Sequence, residues 1–254
     1  MKEEIKKKIS EMESEYNIKI LHACETGSRG WGFPSPDSDY DVRLIYVHPE
    51  EWYISLSEQK DSLELMLNDN NLDITGWDLR KALRLMTKSN ASLFERMQSP
   101  IVYQTDTDFM IELNAVAQAF FSPRATLHHY LSMAKKSVVG FAGQESVKFK
   151  KLFYALRAAT ACKWIFDKGS IPPIVFMEMV DHLELDAKLI VEIKEMMRVK
   201  GSENEGYMHK PSPIVLAYIR AQILKAGKEA TALGKGSGEV EELNNLLRKT
   251  LKSF

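Results

Sequence analysis

Only two of the 254 residues are cysteine. Cys24 and Cys162 each sit inside an apolar stretch, far apart, so the sequence holds no disulfide framework and points to a reducing compartment. Long apolar runs are missing too: none approaches the ~18 residues that a membrane-spanning helix needs. The stretch from Met1 to Lys8 is charged and lacks the apolar core of a secretory signal, and the expectation is a soluble, cytoplasmic protein with no membrane partner. An excess of one charge is also absent. With 34 Lys and Arg against 35 Asp and Glu, the formal net charge is −1. No global field draws such a chain to nucleic acid, which argues mildly against a tight-binding polymerase. No G-x-x-x-x-G-K-[ST] string exists, so a P-loop is excluded, and Gly27, Gly30 and Gly32 do not make the G-x-G-x-x-G that opens a dinucleotide-binding helix. What remains is ordinary globular composition, 44% hydrophobic and 27% charged, in a chain comfortable for two smaller domains.

Periodicity divides the chain. Ile5, Ile9 and Met12 carry a helical period over residues 2–15, and residues 18–25 read as a strand. The loop 26–38 holds three glycines and two prolines, and no regular element is expected there. A second strand is expected over residues 39–48, and a short helix from Pro49 through Tyr53. A hairpin is expected from residues 63–67 and 71–75 around 68–70. A helix from Trp77 to Lys88 and a second short one ending before Pro100 complete this part. Beyond about residue 106 the patterns are helical almost throughout: 106–119, 123–140, 145–168, 172–181, 185–199, 211–232 and 238–252. The fold class expected is therefore α+β, a mixed-sheet domain over residues 1–105 followed by an all-helical domain over 106–254.

One constellation carries chemistry. Asp39 and Asp41 lie two apart at the start of a strand, so both carboxylates face one side. Carboxylates held side by side repel unless a cation intervenes, and an all-oxygen donor set suits Mg²⁺ or Mn²⁺. Upstream, Gly27 and Ser28 follow a strand directly, where a glycine turn presents backbone N–H groups as an anion nest and Ser28 adds a hydroxyl donor. The rival reading of residues 37–48 as a calcium-binding EF-hand loop fails, because Val42 and His48 stand where that loop needs glycine and glutamate. Arg43, on the same strand face as both aspartates, either balances their charge or binds phosphate. Arg29 and Trp31 in the loop are open to either nucleotide contact or packing. The basic spots Lys135-Lys136 and Lys148–Lys151 are small.

Gly27-Ser28 followed by Asp39-x-Asp41 resembles the DNA polymerase β-like nucleotidyltransferase signature. The longer string from Gly27 to Arg43 is similar to the RlaP family of nucleotidyltransferases, and Leu72–Lys81, Phe149–Arg157 and Pro172-Pro173 extend that likeness over most of the chain. The resemblance implies a mixed-sheet, palm-like catalytic domain with a helical domain behind it, binding an NTP through Mg²⁺ or Mn²⁺. It also implies a third carboxylate from a later strand, as metal ligand and base. Asp73, inside the strand-like stretch 71–75, is preferred over Asp78, which falls where a helix begins and suits the helix dipole. Nucleotide contacts are expected from Gly27 and Ser28, and from Lys150, Tyr154 and Arg157 on one stripe of the 145–168 helix, with Lys151 an alternative to Lys150; a solvated edge of a core helix is the competing reading. The implied reaction moves an NMP from the NTP to a hydroxyl acceptor with pyrophosphate released; the acceptor does not carry over from the resemblance, and RNA is the first candidate among RNA, DNA, protein and small molecules. A non-catalytic nucleotide-binding regulator and an interaction module are the alternatives. Oligomeric state and base preference are not written in the residues.

Overall fold

The computed structural model describes residues 1–67, 71–140 and 144–253. In chain order the elements of the first half are α1 (Lys2–Tyr16), β1 (Lys19–Glu25), α2 (Gly27–Gly30), β2 (Tyr40–Val47), α3 (Glu50–Tyr53), β3 (Ser62–Leu67), β4 (Leu72–Asp78), α4 (Leu79–Met86), α5 (Ala91–Gln98) and β5 (Val102–Thr105). Then follow α6 (Thr107–Phe120), α7 (Pro123–Val139), β6 (Val147–Lys148), α8 (Phe149–Lys168), α9 (Phe176–His182), α10 (Ala187–Ser202), β7 (Met208–His209), α11 (Pro213–Glu229) with a 3₁₀ turn at Ala230–Ala232, and α12 (Val240–Leu251). Among the described residues no helix is long and apolar enough to cross a membrane.

The chain forms two compact units. The first comprises Met1–Gly30, Asp39–Phe121 and the stretch from Gly236 onward; the second comprises Trp31–Ser38 and Ser122–Lys235. This division differs from one break at residue 105. Helix α6 belongs with the sheet, burying Phe109 and Leu113, and the chain returns to it when the Ser237 and Gly238 amides donate to the Ala119 carbonyl. Helix α12 then packs on α4 and α6. Helical periodicity marks α6 and α12 as helices but says nothing about which layer each one covers.

The first unit is built on a five-stranded mixed sheet of order β3-β4-β2-β1-β5, with β2 and β4 parallel and the other neighbours antiparallel. One face is closed by α1, whose Ile5, Ile9 and Met12 pack in one cluster with Val42, Leu44, Tyr46, Leu72 and Ile74. Strand alternation then sends Asp41, Arg43, Asp73, Thr75 and Trp77 to the opposite face. Farther along that face the buried Arg96 of α5 stacks its guanidinium 3.3 Å from the Trp77 ring centre and donates to the Leu44 carbonyl.

Several boundaries move for identifiable reasons. Trp77 and Asp78 end β4 rather than beginning a helix, because the Asp78 carboxylate caps α4 by accepting from the Arg80 amide. The loop 26–38 contains one helical turn, Gly27–Gly30. Strand β5 was not expected, its four residues being too few to establish a period. The expected hairpin strands β3 and β4 pair as antiparallel neighbours; the turn expected at 68–70 lies outside the described residues.

Among its described residues the second unit carries helices and one short ladder, β6 with β7. That ladder takes Val147 and Lys148, so α8 starts at Phe149 rather than 145. The helix expected from residue 172 starts only at Phe176, beyond Pro172 and Pro173. Ser122 caps α7 with Pro123 in its first turn, and Asp186 caps α10.

Candidate active site

Asp41 is the second residue of β2, and Asp73 of β4 is its Cα partner across the parallel pair. Directly opposed residues on adjacent strands share a face, so the two carboxylates are neighbours. Arg43, two residues along β2, reaches back over them: its Nη2 donates to Asp41 Oδ1 at 2.7 Å and to Asp73 Oδ2 at 2.9 Å. Nη1 donates to the Val42 and Asp73 carbonyls.

The backbone of Asp41 is held as firmly as its side chain. Its amide donates to Glu25 Oε1 at 2.6 Å, and its carbonyl accepts from both the amide and the hydroxyl of Thr26. Gly27 comes next, at φ +58°. A Cβ built there would lie 1.9 Å from Asp41 Oδ2, so this position needs glycine both for its left-handed backbone and for the close approach of the carboxylate. Ser28 follows in the one-turn helix α2, only 4% exposed.

Asp39 immediately precedes β2 and is exposed. Its carbonyl accepts from Arg29 Nε at 3.1 Å, and the Arg29 guanidinium lies 3.8 Å from the Tyr40 ring centre. Among the described residues no three His, Cys, Asp or Glu side chains are gathered as a cation site, so Asp39 does not close on Asp41 and Asp73 here. Asp78, five residues beyond Asp73 on the same strand, points to the opposite face. It is buried, takes a hydrogen bond from the Tyr53 hydroxyl, and burial raises its carboxyl above the usual range.

Sequence reasoning missed Glu25. This fully buried carboxyl accepts from the Tyr103 hydroxyl as well as from the Asp41 amide, linking β5 to the candidate site through β1. The available signal was an acid closing the strand Lys19–Glu25 beside the apolar Ala23 and Cys24, directly before Thr26-Gly27-Ser28. Burial pushes Glu25 above the ordinary glutamate range, against the two donors that favour its charged form. A carboxyl with a raised folded-state pKa binds more protons folded than unfolded, so its contribution to stability declines as pH rises through and above that range. Glu25→Gln removes this titration. The stability of wild type relative to Glu25→Gln is therefore expected to fall in urea melts as pH rises above the ordinary glutamate range, and a difference that grows with pH would contradict this assignment.

In the helical unit, Lys150, Tyr154 and Arg157 do lie along α8, in three different environments. Lys150 Nζ is paired with Glu205 at 2.7 Å. Tyr154 packs edge-on against Trp31, with ring centres 4.9 Å apart. Arg157 is 1% exposed, sits 4.4 Å from the Trp31 ring centre and donates to the Ile174 carbonyl. Lys151 is exposed. Trp31 is buried in this packing, and Phe33 beside it packs on Phe153 and Phe176. The remainder of the loop is pinned by polar bonds. The buried Lys200 donates to Ser35 Oγ, Ser38 donates to Glu205, and the Glu205 amide donates to Asp37.

The family described as RlaP, RNA repair pathway DNA polymerase beta family, matches residues 1–249. The chain belongs to this family. The RlaP match takes in the Gly27-Ser28 turn, all three candidate aspartates and helix α8. Along 99% of its length the chain is 38% identical to the Bacillus subtilis (strain 168) protein named "Uncharacterized protein YcgL", covering 97% of that protein. A 121-residue stretch, 47% of the chain, is 26% identical to 11% of the Drosophila melanogaster tRNA (34-2'-O)-methyltransferase regulator WDR6. Among solved structures, a nucleotidyltransferase-like protein from Exiguobacterium sibiricum 255-15 aligns at 12% identity with a TM-score of 0.33, over 98% of this chain and 80% of that one.

Proposed function

We propose that this protein is a metal-dependent nucleotidyltransferase that moves a nucleoside monophosphate from an NTP to a hydroxyl acceptor. The observation that carries the reading is the register pairing of Asp41 with Asp73 beside the Gly27 turn, in a chain of a DNA polymerase β-like family. The donor set suits a hard divalent ion: all oxygen, on neighbouring strands, already sharing one cation in Arg43, and approached closely by the backbone at Gly27. Asp39, Asp41 and Asp73 would hold Mg²⁺ or Mn²⁺, which when bound would supply charge neutralisation for the triphosphate and acidify the acceptor hydroxyl.

The remaining work belongs to the chain. Glu25 and Thr26 fix the Asp41 backbone, which holds the root of its carboxylate in place for a cation. Ser28 and the Gly27 backbone hold the outer phosphates. Asp73 receives the acceptor's proton on a carboxylate oxygen as the acceptor oxygen bonds to the α-phosphorus. The bond from that phosphorus to its bridging oxygen breaks, and pyrophosphate leaves with the electron pair. Lys150, Tyr154 and Arg157 of α8, with Lys151 the alternative to Lys150, are the candidate nucleotide contacts to test by substitution; Lys150 is paired with Glu205 and Lys151 is exposed. RNA is the first acceptor to test, in keeping with the family's RNA repair description.

The test is thermal unfolding with each NTP, with and without Mg²⁺ or Mn²⁺, followed by labelled transfer assays against RNA, DNA and protein. A stabilisation that requires both metal and nucleotide supports the reading and names the preferred base. No shift with any NTP, together with no transfer to any acceptor, would sink it. Ser28→Ala is expected to raise the NTP KM about tenfold with little change in kcat, as one phosphate hydrogen bond is lost from ground and transition state alike. An unchanged KM would remove Ser28 from this role.

A further inference from the structure

Arg43 is engaged on every side the structure records. Its two terminal nitrogens make four hydrogen bonds, two to the carboxylates of Asp41 and Asp73 and two to carbonyls at the same spot. The Arg43 side chain is 18% exposed and those of Asp41 and Asp73 are 28% and 29%, so water screens this cluster only in part. Facing carboxylates require a positive charge between them. Here that charge is part of the chain, delivered from the same strand as Asp41. A divalent ion drawn to these oxygens would bind at ~2.0–2.1 Å, demanding near-octahedral geometry, and would meet the guanidinium within hydrogen-bond reach of its own ligands. Two cations that close, in a partly dry site, repel strongly.

We infer that Arg43 is a resident counter-cation, and that a divalent metal binds between Asp41 and Asp73 only by displacing its guanidinium from at least one of them. The inference rests on reading Asp41 and Asp73 as a metal-binding pair. It adds a rule of order to that reading. Free metal brings two positive charges to a pair that Arg43 already satisfies, so the empty protein holds metal weakly. Metal arriving with an NTP brings a tetra-anionic partner that compensates the guanidinium, so metal and nucleotide enter together.

The test uses Mn²⁺ alone, without nucleotide, read by electron paramagnetic resonance or calorimetry. Arg43→Gln is expected to bind Mn²⁺ about tenfold or more tightly than wild type, as a like charge beside the ligands is removed. Adding Asp73→Asn to that variant should abolish the gain. Arg43→Lys, which keeps the charge but loses the two-pronged bridge, should fall between. A second measurement needs no substitution. In wild type the Arg43 guanidinium NMR signals should shift on addition of Mg²⁺ with NTP, and far less with Mg²⁺ alone. Equal or weaker Mn²⁺ binding in Arg43→Gln, or guanidinium signals that ignore Mg²⁺ with an NTP that does stabilise the protein, overturns the inference. If wild type still gives metal-dependent NTP stabilisation, the functional reading survives that failure. If Arg43→Gln gains Mn²⁺ affinity while no NTP ever stabilises wild type, the inference stands and the transferase reading falls.

Discussion

Asp41→Asn is expected to lower nucleotide transfer by about a thousandfold or more while leaving the protein folded, a loss of roughly 4 kcal/mol of transition-state stabilisation. The substitution keeps size and shape but removes the charge placed between the Gly27 turn and Asp73. Three contacts made by the Asp41 backbone, to Glu25 and Thr26, survive it unchanged. The fold has a further reason to tolerate the change: removing one of two facing carboxylates relieves their repulsion, and Arg43 retains Asp73. Circular dichroism and melting temperature should therefore stay close to wild type while metal-dependent NTP stabilisation disappears. Asp73→Asn should match it in rate loss. Transfer at wild-type rate in either variant would end the case for this pair as the reaction centre, whatever the family.

Much of this arrangement was legible before the fold was known, and the limits have physical causes. The spacing of Asp39 and Asp41, with glycine and serine upstream, is a local pattern, and local patterns survive in sequence. Asp73 could be placed on a strand by its apolar neighbours Leu72 and Ile74, and Asp78 assigned to a helix start, where it is indeed the cap of α4. The register that sets Asp73 opposite Asp41 is non-local, and no pattern within either strand encodes it. Glu25 escaped for the same reason, since its partners Tyr103 and Asp41 come from two other strands. The helix list was nearly complete because amphipathic periods of fourteen to twenty residues are long signals, as in α6 and α8. The allocation of those helices to units was not readable, because α12 rejoins the sheet through contacts with α4 and α6 after the helical unit has intervened. On α8, Lys150, Tyr154 and Arg157 are spaced at i, i+4 and i+7. Spacing alone does not reveal that the stripe passes from half-buried Lys150 to fully buried Arg157.

Arg157 therefore supplies the second large effect, and it is one of stability. Arg157→Ala is expected to destabilise the helical unit by about 3 kcal/mol or more, combining a cavity with lost polar contacts. The side chain is among the largest that are fully buried, stacked 4.4 Å from the Trp31 ring centre and 5.9 Å from that of Tyr130, and hydrogen-bonded to the Ile174 carbonyl. Alanine leaves Trp31 without its cationic neighbour and the Ile174 carbonyl without that donor. Arg157→Lys should recover part of the loss at most, because a compact ammonium cannot reproduce the planar stack and the reach to Ile174 together. Urea unfolding measures this directly. Trp31 fluorescence should also report a loosened loop before global unfolding, since Tyr154 and Phe33 then hold it without the guanidinium. If Arg157→Ala instead melts like wild type and loses only NTP affinity, the buried position has been misjudged and the guanidinium serves the nucleotide directly. A variant that is both destabilised and, at temperatures where it remains folded, still stabilised by NTP with metal would place Arg157 in the architecture that presents the loop, outside the chemistry itself.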